Sequence, residues 1–307
     1  MTLTPVVAVL LAFILDETIA EPPVCLHPVA WFGRVVGACD RSWRYPRLTG
    51  VLIACVFPFT AAIVAGVTIT FLSQIAPTEN VVSIVFLGCV AGMWLFATTS
   101  RRMLLDVAHG VLDDIETDPG RARNSIRALV GRDTTNLSPA ELRSGAVESA
   151  AENLADGLVA PLLAFMVAAQ FSLSMAVAAA VWVKAVNTLD SMLGYPAKPH
   201  GTASARLDDL VMWLPARVSA VLLSIAAGDL TAPTRAARWV DAPPSPNSGW
   251  PMATLATILN VRLTKPGVYT LNLDADLPAD ERAKRSVRIV DRAALVAFGF
   301  AGVVTWF

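Results

Sequence analysis

The sequence predicts an all-α, polytopic integral membrane protein. Hydrophobic residues make up 55% of the 307 residues and charged residues only 16%, whereas a typical soluble domain carries about 25% charged residues. The deficit comes from long stretches without a charge, such as 51–75. A helix needs about 20 apolar residues to cross the hydrocarbon core. We therefore expect 1–307 to form a single membrane-embedded domain.

Apolar segments define the expected helices of this domain. They cover about residues 3–20, 51–75, 81–99, 158–186, 210–228 and 293–307. The second and third predict a helical hairpin with a short tip at 76–80. The fourth is too long for one upright helix. Gln170, Ser172 and Ser174 mark a turn in its middle, so we expect a second hairpin there.

Basic residues set the expected orientation in the plasma membrane. Arginine or lysine is frequent in the connectors 21–50, 100–153 and 229–292, and absent from the tips at 76–80 and 171–174. Cytoplasmic loops carry the excess of positive charge, so we expect these partly helical loops and the active site to face the cytoplasm. Positive loops flank 210–228 on both sides. We therefore expect that segment to be a re-entrant or buried helix that does not cross.

Charge and motifs exclude several classes of protein. The net charge of −1 is not that of a nucleic-acid binder, which carries a basic patch or stripe. The four cysteines form no metal-ligand spacing. The GxxxxGK[ST], GxGxxG, HExxH and GxSxG motifs are all missing from the sequence.

The first candidate cluster is acidic and precedes the apolar run at Leu158. Glu148 and Glu152 lie at i and i+4 and share a helical face, which Asp156 continues one turn on. Hard carboxylate oxygens of this kind suit Mg²⁺, which binds one or two carboxylates plus substrate phosphates. The alternative is a solvated acidic face, or carboxylates that pair with nearby arginines.

A second cluster lies at the end of the apolar run 158–186. Lys184, Asn187 and Asp190 fall on one helical face, and Gly194 is placed to end the helix. The alternative is an interfacial helix end with a snorkelling lysine.

A third cluster combines arginines and aspartates around 206–217. Asp209 and Arg217 lie in an apolar stretch, where ionisable groups are costly and usually face a polar cavity or a partner. Arg206 and Arg217 are suited to hold anionic groups. The alternative is structural pairing of Asp209 with Arg206 or Arg217.

Two loops add further candidates. Prolines make 241–251 a rigid loop in which Ser245 and Asn247 are candidates for substrate contact, unless Asn247 or Ser248 only caps the next helix. In the Glu21-Pro22-Pro23 to Gly33 stretch, His27 is either a general base or a structural hydrogen-bonding group.

These motifs, in this order, resemble the CobD/CbiB family of cobalamin biosynthesis. The matching pieces extend from about residue 15 to 270 and are EPPVCLHPVAWFG, LVGRDTTNLS, ELRSGAVESAAENLADGLVAPLL, KAVNTLDSMLGY, SARLDDLVMWLPARV and SPNSGWPMA. The resemblance implies a membrane enzyme of the adenosylcobinamide-phosphate synthase type. Such enzymes are thought to join (R)-1-aminopropan-2-ol, or its O-phosphate, to a propionate carboxyl of adenosylcobyric acid. The reaction depends on ATP.

Under this resemblance we assign roles to the candidate residues as a hypothesis. The carboxylates expected to hold Mg²⁺ and ATP are Glu148, Glu152, Asp156 and Asp190, of which the two glutamates are also catalytic candidates. The groups expected to bind phosphate or the corrinoid carboxylate, or to orient substrates, are Arg206, Arg217, Lys184, Asn153, Asn187, Asn247, Ser245 and His27. Asp208 or Asp209 is expected to deprotonate the incoming ammonium.

Two other functions compete with this reading. A membrane signalling protein of the AmpE type would lack the dense ESAAEN and NTLDSM motifs. A transporter would need a polar path through the bilayer, whereas the polar residues cluster on one side. Expected partners are adenosylcobyric acid, aminopropanol or its phosphate, and the lipid bilayer, with no nucleic acid. The sequence leaves open an assembly with other corrinoid enzymes.

Overall fold

The computed structural model describes residues 3–76, 80–130, 134–195 and 197–307 and confirms the all-α membrane architecture. Two parts of the predicted motifs lie outside the described residues, namely 77–79 in the first hairpin tip and 131–133 in LVGRDTTNLS. Contacts divide the chain into two compact units. The first contains residues up to Ser100, Asp156–Met212 and Phe298–Phe307; the second contains Arg101–Ala155 and Trp213–Ala297. The prediction of one membrane-embedded domain stays a prediction.

The first unit contains long apolar helices and shorter ones of ten residues. They are α1 (Thr4–Ile19), α2 (Pro28–Gly37), α3 (Pro46–Ile75), α4 (Val81–Thr98), α8 (Ala160–Ala169), α9 (Leu173–Leu193) and α10 (Thr202–Val211), with a π-helix at Ala155–Val159 and a 3-10 turn at Pro199–Gly201. Helices α5 to α7 belong to the second unit and are described with it below.

One face of α3 shows how these helices meet lipid. Phe59, Ile63, Val67 and Phe71 recur every four residues and are all more than half exposed. Most buried residues of α3 are small, such as Ala54, Ala62 and Ala65, beside Ile53 and Ile69. Large apolar side chains on the exposed face are the arrangement expected when lipid replaces water around a helix.

Helices α1 and α4 pack closely through two glycines of α4. A Cβ on Gly88 would lie 2.7 Å from the Cβ of Val7, and one on Gly92 would lie 2.9 Å from the carbonyl oxygen of Ala8. Glycines four residues apart let helix backbones approach closely in membranes.

Helices α8 and α9 form a hairpin within the segment 158–186. The chain turns after Ala169, and the Ser172 hydroxyl caps α9 by accepting a hydrogen bond from the Met175 amide at 3.1 Å. Helix α9 ends at Leu193 with Gly194 as its C-cap, which confirms the predicted stop.

Among the described residues, four helices are long and apolar enough to cross a membrane. They are Pro46–Ile75, Val81–Thr117, Pro139–Ala169 and Leu173–Leu193. Pro199–Val211 and Trp213–Ala227 meet this test only as a pair, which is typical of a broken span or a re-entrant loop. The expectation that 210–228 does not cross therefore stays a prediction.

The second unit contains the polar connectors and one small hairpin. Its helices are α5 (Arg101–Thr117), α6 (Pro119–Val130), α7 (Pro139–Leu154), α11 (Trp213–Ala227), α12 (Ala232–Ala236), α13 (Gly249–Leu259) and α14 (Asp280–Trp306, of which 298–306 belongs to the first unit). A 3-10 turn spans Ala237–Trp239, and strands β1 (Leu263–Lys265) and β2 (Tyr269–Leu271) pair antiparallel.

Local sequence explains where α7 and the hairpin begin. Ser138 and Glu141 form a reciprocal capping box, and Pro139 occupies the first turn, so α7 starts there. Gly267, with a φ of 74°, lies in the turn between the strands, where a left-handed backbone favours glycine. The hairpin brings Tyr269 to α7.

Candidate active site

The predicted site residues fall into two groups, one in each unit. The first unit holds His27, Asp156, Lys184, Asn187, Asp190, Arg206, Asp208 and Asp209. The second holds Glu148, Glu152, Asn153, Arg217, Ser245 and Asn247. Within each unit the structure brings several of them together.

Asp156 and Asn187 form the polar centre of the first unit. The Asn187 side-chain amide donates to Asp156 Oδ2 at 3.2 Å. Asp156 lies in the π-helix 155–159, which follows α7 directly; the predicted face shared with Glu148 and Glu152 stays a prediction. Single π turns inside helices are frequent at functional sites.

Lys184 is the cation of this centre. It interacts electrostatically with Asp156 and with Glu21. Asp156 is also repelled by the negative charges of Asp208 and Asp190. The centre thus places several carboxylates near one lysine. Because low-dielectric surroundings strengthen interactions between charges, this arrangement is suited to binding ions.

Asp190 and Asp209 extend this centre toward the exposed Arg206. Asp209 lies close enough to Asp190 to repel it and to Arg206 to attract it. Asp190 packs against Gly194, where a Cβ would overlap its carboxylate. A side chain at residue 194 would therefore displace Asp190. The structural pairing of Asp209 with Arg206 stays a prediction.

His27 caps a helix beside the same lysine. Its Nδ1 accepts a hydrogen bond from the Val29 amide at 3.3 Å and caps α2, so a structural role is shown. Partial burial, and secondarily the charge of Lys184, lower the pKa of His27. Partial burial raises the pKa of Glu21, against the opposing effect of Lys184.

An apolar cavity of about 290 Å³ adjoins this centre, and its wall includes Lys184, Thr188 and Trp94 together with Pro28 and Trp31 of α2. Lys184 therefore lies where the charged centre meets an apolar pocket. The sequence analysis singled out the stretch containing Glu21 but not its electrostatic interaction with Lys184. That interaction depends on the fold and not on spacing in the chain.

The carboxylates of the described residues do not form a ready-made metal cage. Among those residues, no group of three or more His, Cys, Asp or Glu side chains is arranged to hold a metal ion. Mg²⁺ bound to a nucleotide needs only one or two carboxylates, since phosphates and water supply its other ligands. The carboxylate oxygens of Asp156 and its acidic neighbours are suited to bind Mg²⁺ that is already held by a nucleotide.

Glu148 is the buried carboxylate of the second unit. It is 4% exposed, and its two oxygens accept hydrogen bonds from the Ser144 hydroxyl at 2.7 Å and the Tyr269 hydroxyl at 2.8 Å. The Ser144 oxygen in turn accepts from the Thr264 amide at 2.8 Å. These bonds tie α7 to the β-hairpin and fix the orientation of Glu148.

Arg217 lies against two tryptophans of the same unit. Its guanidinium carbon lies 4.3 Å from the ring centre of Trp213 and 5.0 Å from that of Trp250. Its Nη1 donates to the Trp213 carbonyl at 2.7 Å and to Asn247 Oδ1 at 3.2 Å. The buried Asn247 therefore positions the arginine.

The remaining candidates of the second unit have local partners. The Asn153 amide donates to the Ser149 carbonyl at 3.0 Å and to its hydroxyl at 3.1 Å, and Glu152 is half-buried on α7. Ser245 Oγ accepts a hydrogen bond from the backbone amide of Asn247 at 3.2 Å, which shapes the proline-rich loop. Ser248 is the N-cap of α13 but makes no side-chain capping bond.

Sequence reasoning missed the aromatic residues that position these groups. Trp213 and Trp250 both lie in quoted motifs, LDDLVMWLPARV and SPNSGWPMA, so their motif membership was an available signal. Tyr269 carries no such signal, because it meets Glu148 only through the hairpin fold.

Fold and sites together define a multi-pass helical membrane protein with charged polar centres in both units. The family model described as CobD/Cbib protein matches residues 9–296. The chain therefore belongs to the CobD/CbiB family.

Curated relatives match over most of their length. A probable cobalamin biosynthesis protein CobD of Thermococcus kodakarensis is 39% identical, with 91% of this chain and 89% of the relative covered. One of Methanothrix thermoacetophila is 33% identical, with 95% and 94% covered. The cobalamin biosynthesis protein CobD of Klebsiella pneumoniae is 37% identical, with 84% and 82% covered. No solved structure matches the chain significantly.

Proposed function

We propose that this chain is a cobalamin-biosynthesis enzyme of the plasma membrane. It joins (R)-1-aminopropan-2-ol or its O-phosphate to a propionate carboxyl of adenosylcobyric acid at the expense of ATP, with the active site facing the cytoplasm. The observation that carries the proposal is the centre of Asp156, Lys184 and Asn187, built from two motifs of a chain that belongs to the CobD/CbiB family.

The chemistry requires an activated carboxyl group, because a carboxylate and an ammonium do not condense readily in water. A carboxylate oxygen of the corrinoid attacks the terminal phosphorus of ATP, and ADP leaves. The amine nitrogen, after losing a proton, then attacks the acyl carbon, and inorganic phosphate leaves with one former carboxylate oxygen. The acyl phosphate formed in the first step must be shielded from water.

The first-unit residues divide this work. Asn187 orients Asp156. Lys184 would attract the anionic phosphates, and Asp156 with Asp190 would supply oxygens for a Mg²⁺–nucleotide complex. Bound Mg²⁺ would neutralise charge on the transferring phosphoryl group. Asp208 or Asp209 accepts the proton of the incoming ammonium.

The second-unit residues bind and position the substrates. Arg217 holds an anionic group of a substrate, and Glu152 and Asn153 orient substrate at the end of α7. Glu148 keeps α7 and the hairpin in place through its bonds to Ser144 and Tyr269.

A reconstitution with single omissions tests the proposal. The purified chain in lipid nanodiscs receives adenosylcobyric acid, Mg-ATP and each amine in turn, and the amide product is sought by mass spectrometry. We expect product and ADP only when all components are present. ATP hydrolysis that is independent of the corrinoid and the amine, with no amide formed, would overturn the proposal.

A matched pair of lysine variants connects the reaction to the first-unit centre. Lys184→Met removes the cation beside Asp156 and is expected to lower kcat by roughly 100-fold or more, as loss of a preorganised electrostatic group does. Lys284 also lies near two carboxylates, 3.4 Å from Asp113 and 3.2 Å from Asp280. Lys284→Met is expected to leave turnover unchanged. Equal activity in the two variants would remove Lys184 from the mechanism.

A further inference from the structure

The guanidinium of Arg217 is held by two tryptophan rings and along one edge. Its carbon lies over the ring of Trp213 at 4.3 Å and over the ring of Trp250 at 5.0 Å. Nη1 donates to both the Trp213 carbonyl and Asn247 Oδ1. The orientation of the side chain is therefore set before any ligand arrives, which reduces the entropy lost on binding.

The opposite edge of the same guanidinium is unused. An arginine carries five N–H donors, and the two on Nη1 account for the observed bonds. Nε and Nη2 make no hydrogen bond within the part of the chain that the structure describes. These two nitrogens present parallel donors on one side, which is the geometry that binds two oxygens of a carboxylate or phosphate at once.

Several other arginines of the second unit have carboxylate partners. Arg101 pairs with Asp291 at 2.6 Å, and Arg235 pairs with Asp229 at 2.6 Å. Arg217 interacts electrostatically with Asp241 but forms no ion pair within 4.0 Å of a described carboxylate. Its positive charge is thus left available although the side chain is partly buried.

We propose that Arg217 is a preformed receptor for a substrate oxyanion, binding two of its oxygens through Nε and Nη2. The two tryptophans and Asn247 are its positioning residues. The ligand's chemistry is common to a phosphate, from ATP or aminopropanol O-phosphate, and to a carboxylate of the corrinoid. This inference rests on the proposed function for the choice of substrates, but not for the presence of the receptor.

Binding measurements on the full-length chain in nanodiscs test the receptor. Mg-ATP, aminopropanol O-phosphate and adenosylcobyric acid are titrated separately by calorimetry. We expect Arg217→Lys, which keeps the charge but loses the fork, to weaken one of the three by roughly 10- to 100-fold, the value of a hydrogen-bonded contact to a charged group. The ligand that is weakened identifies the source of the oxyanion.

A matched arginine provides the control. Arg238 stacks on Trp239, 5.1 Å from the ring centre, but it is exposed and lies over one ring only. Arg238→Lys is expected to leave all three affinities unchanged. Trp250→Leu removes one wall and is expected to weaken the same ligand by roughly 3- to 30-fold, in line with a partly desolvated cation–π contact. It decides the question if Arg217→Lys does not fold.

The outcomes separate this inference from the proposed reaction. Unchanged affinities in Arg217→Lys and Trp250→Leu, or wild-type binding of none of the three ligands, overturn the receptor. Amide formation together with unchanged affinities overturns the receptor and leaves the reaction standing. Loss of affinity in Arg217→Lys with no amide formed by the wild type supports the receptor and overturns the reaction.

Discussion

Replacing Tyr269 with Phe removes one hydroxyl from a buried carboxylate. Glu148 is 4% exposed, and the Tyr269 hydroxyl reaches its Oε2 at 2.8 Å. A hydrogen bond to a charged group contributes about 1.5–3 kcal/mol, and burial places the cost in the upper part of that range. Ser144 continues to hold the other oxygen at 2.7 Å. We therefore expect a loss of about 2 kcal/mol in the free energy of unfolding.

Equilibrium unfolding in detergent micelles, followed by circular dichroism, measures this loss. Tyr45→Phe is the matched control, since Tyr45 is 61% exposed and its hydroxyl has no partner among the described residues. It is expected to change stability by less than about 0.5 kcal/mol. A double-mutant cycle with Glu148→Gln should show a coupling energy of about 1 kcal/mol or more. Strict additivity, or a Tyr269→Phe variant as stable as wild type, would refute the buried network.

Two further stability predictions come from α4 and α2. Gly92→Ala places a Cβ 2.9 Å from the Ala8 carbonyl oxygen and is expected to destabilise by about 1–3 kcal/mol. Gly110→Ala is the control, because the added Cβ meets nothing within 4 Å; it is expected to be neutral or stabilising by up to about 1 kcal/mol. Equal shifts of the melting temperature in the two variants would contradict close α1–α4 packing. Because burial and Lys184 lower the pKa of His27, the unfolded chain binds its proton more readily, and stability falls as pH drops below about 6.5. His27→Asn retains a capping acceptor and should show a smaller loss of melting temperature between about pH 8 and 5.5; an unchanged loss would show that His27 does not titrate as described.

Much of the helical framework could be predicted from local sequence. The charge-free run 51–75 predicts most of α3, and Gly194 predicts the end of α9, because both signals act over a few neighbouring residues. The motif that contains Asn187 and Asp190 also predicts a shared helical face, since α9 is regular there.

Other features depend on contacts that local patterns do not encode. The π-helix 155–159 follows α7 directly, and α-helical periodicity does not predict it. Trp250 reaches Arg217 only because α11 and α13 pack together. Glu21 interacts electrostatically with Lys184 from a loop more than a hundred residues away in the chain. Because these pairs form only in the folded chain, the sequence indicates which residue types are present but not which residues they interact with.

The fate of one oxygen atom tests the central claim most directly. Adenosylcobyric acid with isotope-labelled propionate oxygens is supplied with Mg-ATP and the amine, and the inorganic phosphate is analysed by mass spectrometry. The proposed activation transfers one labelled oxygen to phosphate for each amide formed. Amide formation with unlabelled phosphate would contradict activation of the carboxylate by the terminal phosphoryl group of ATP.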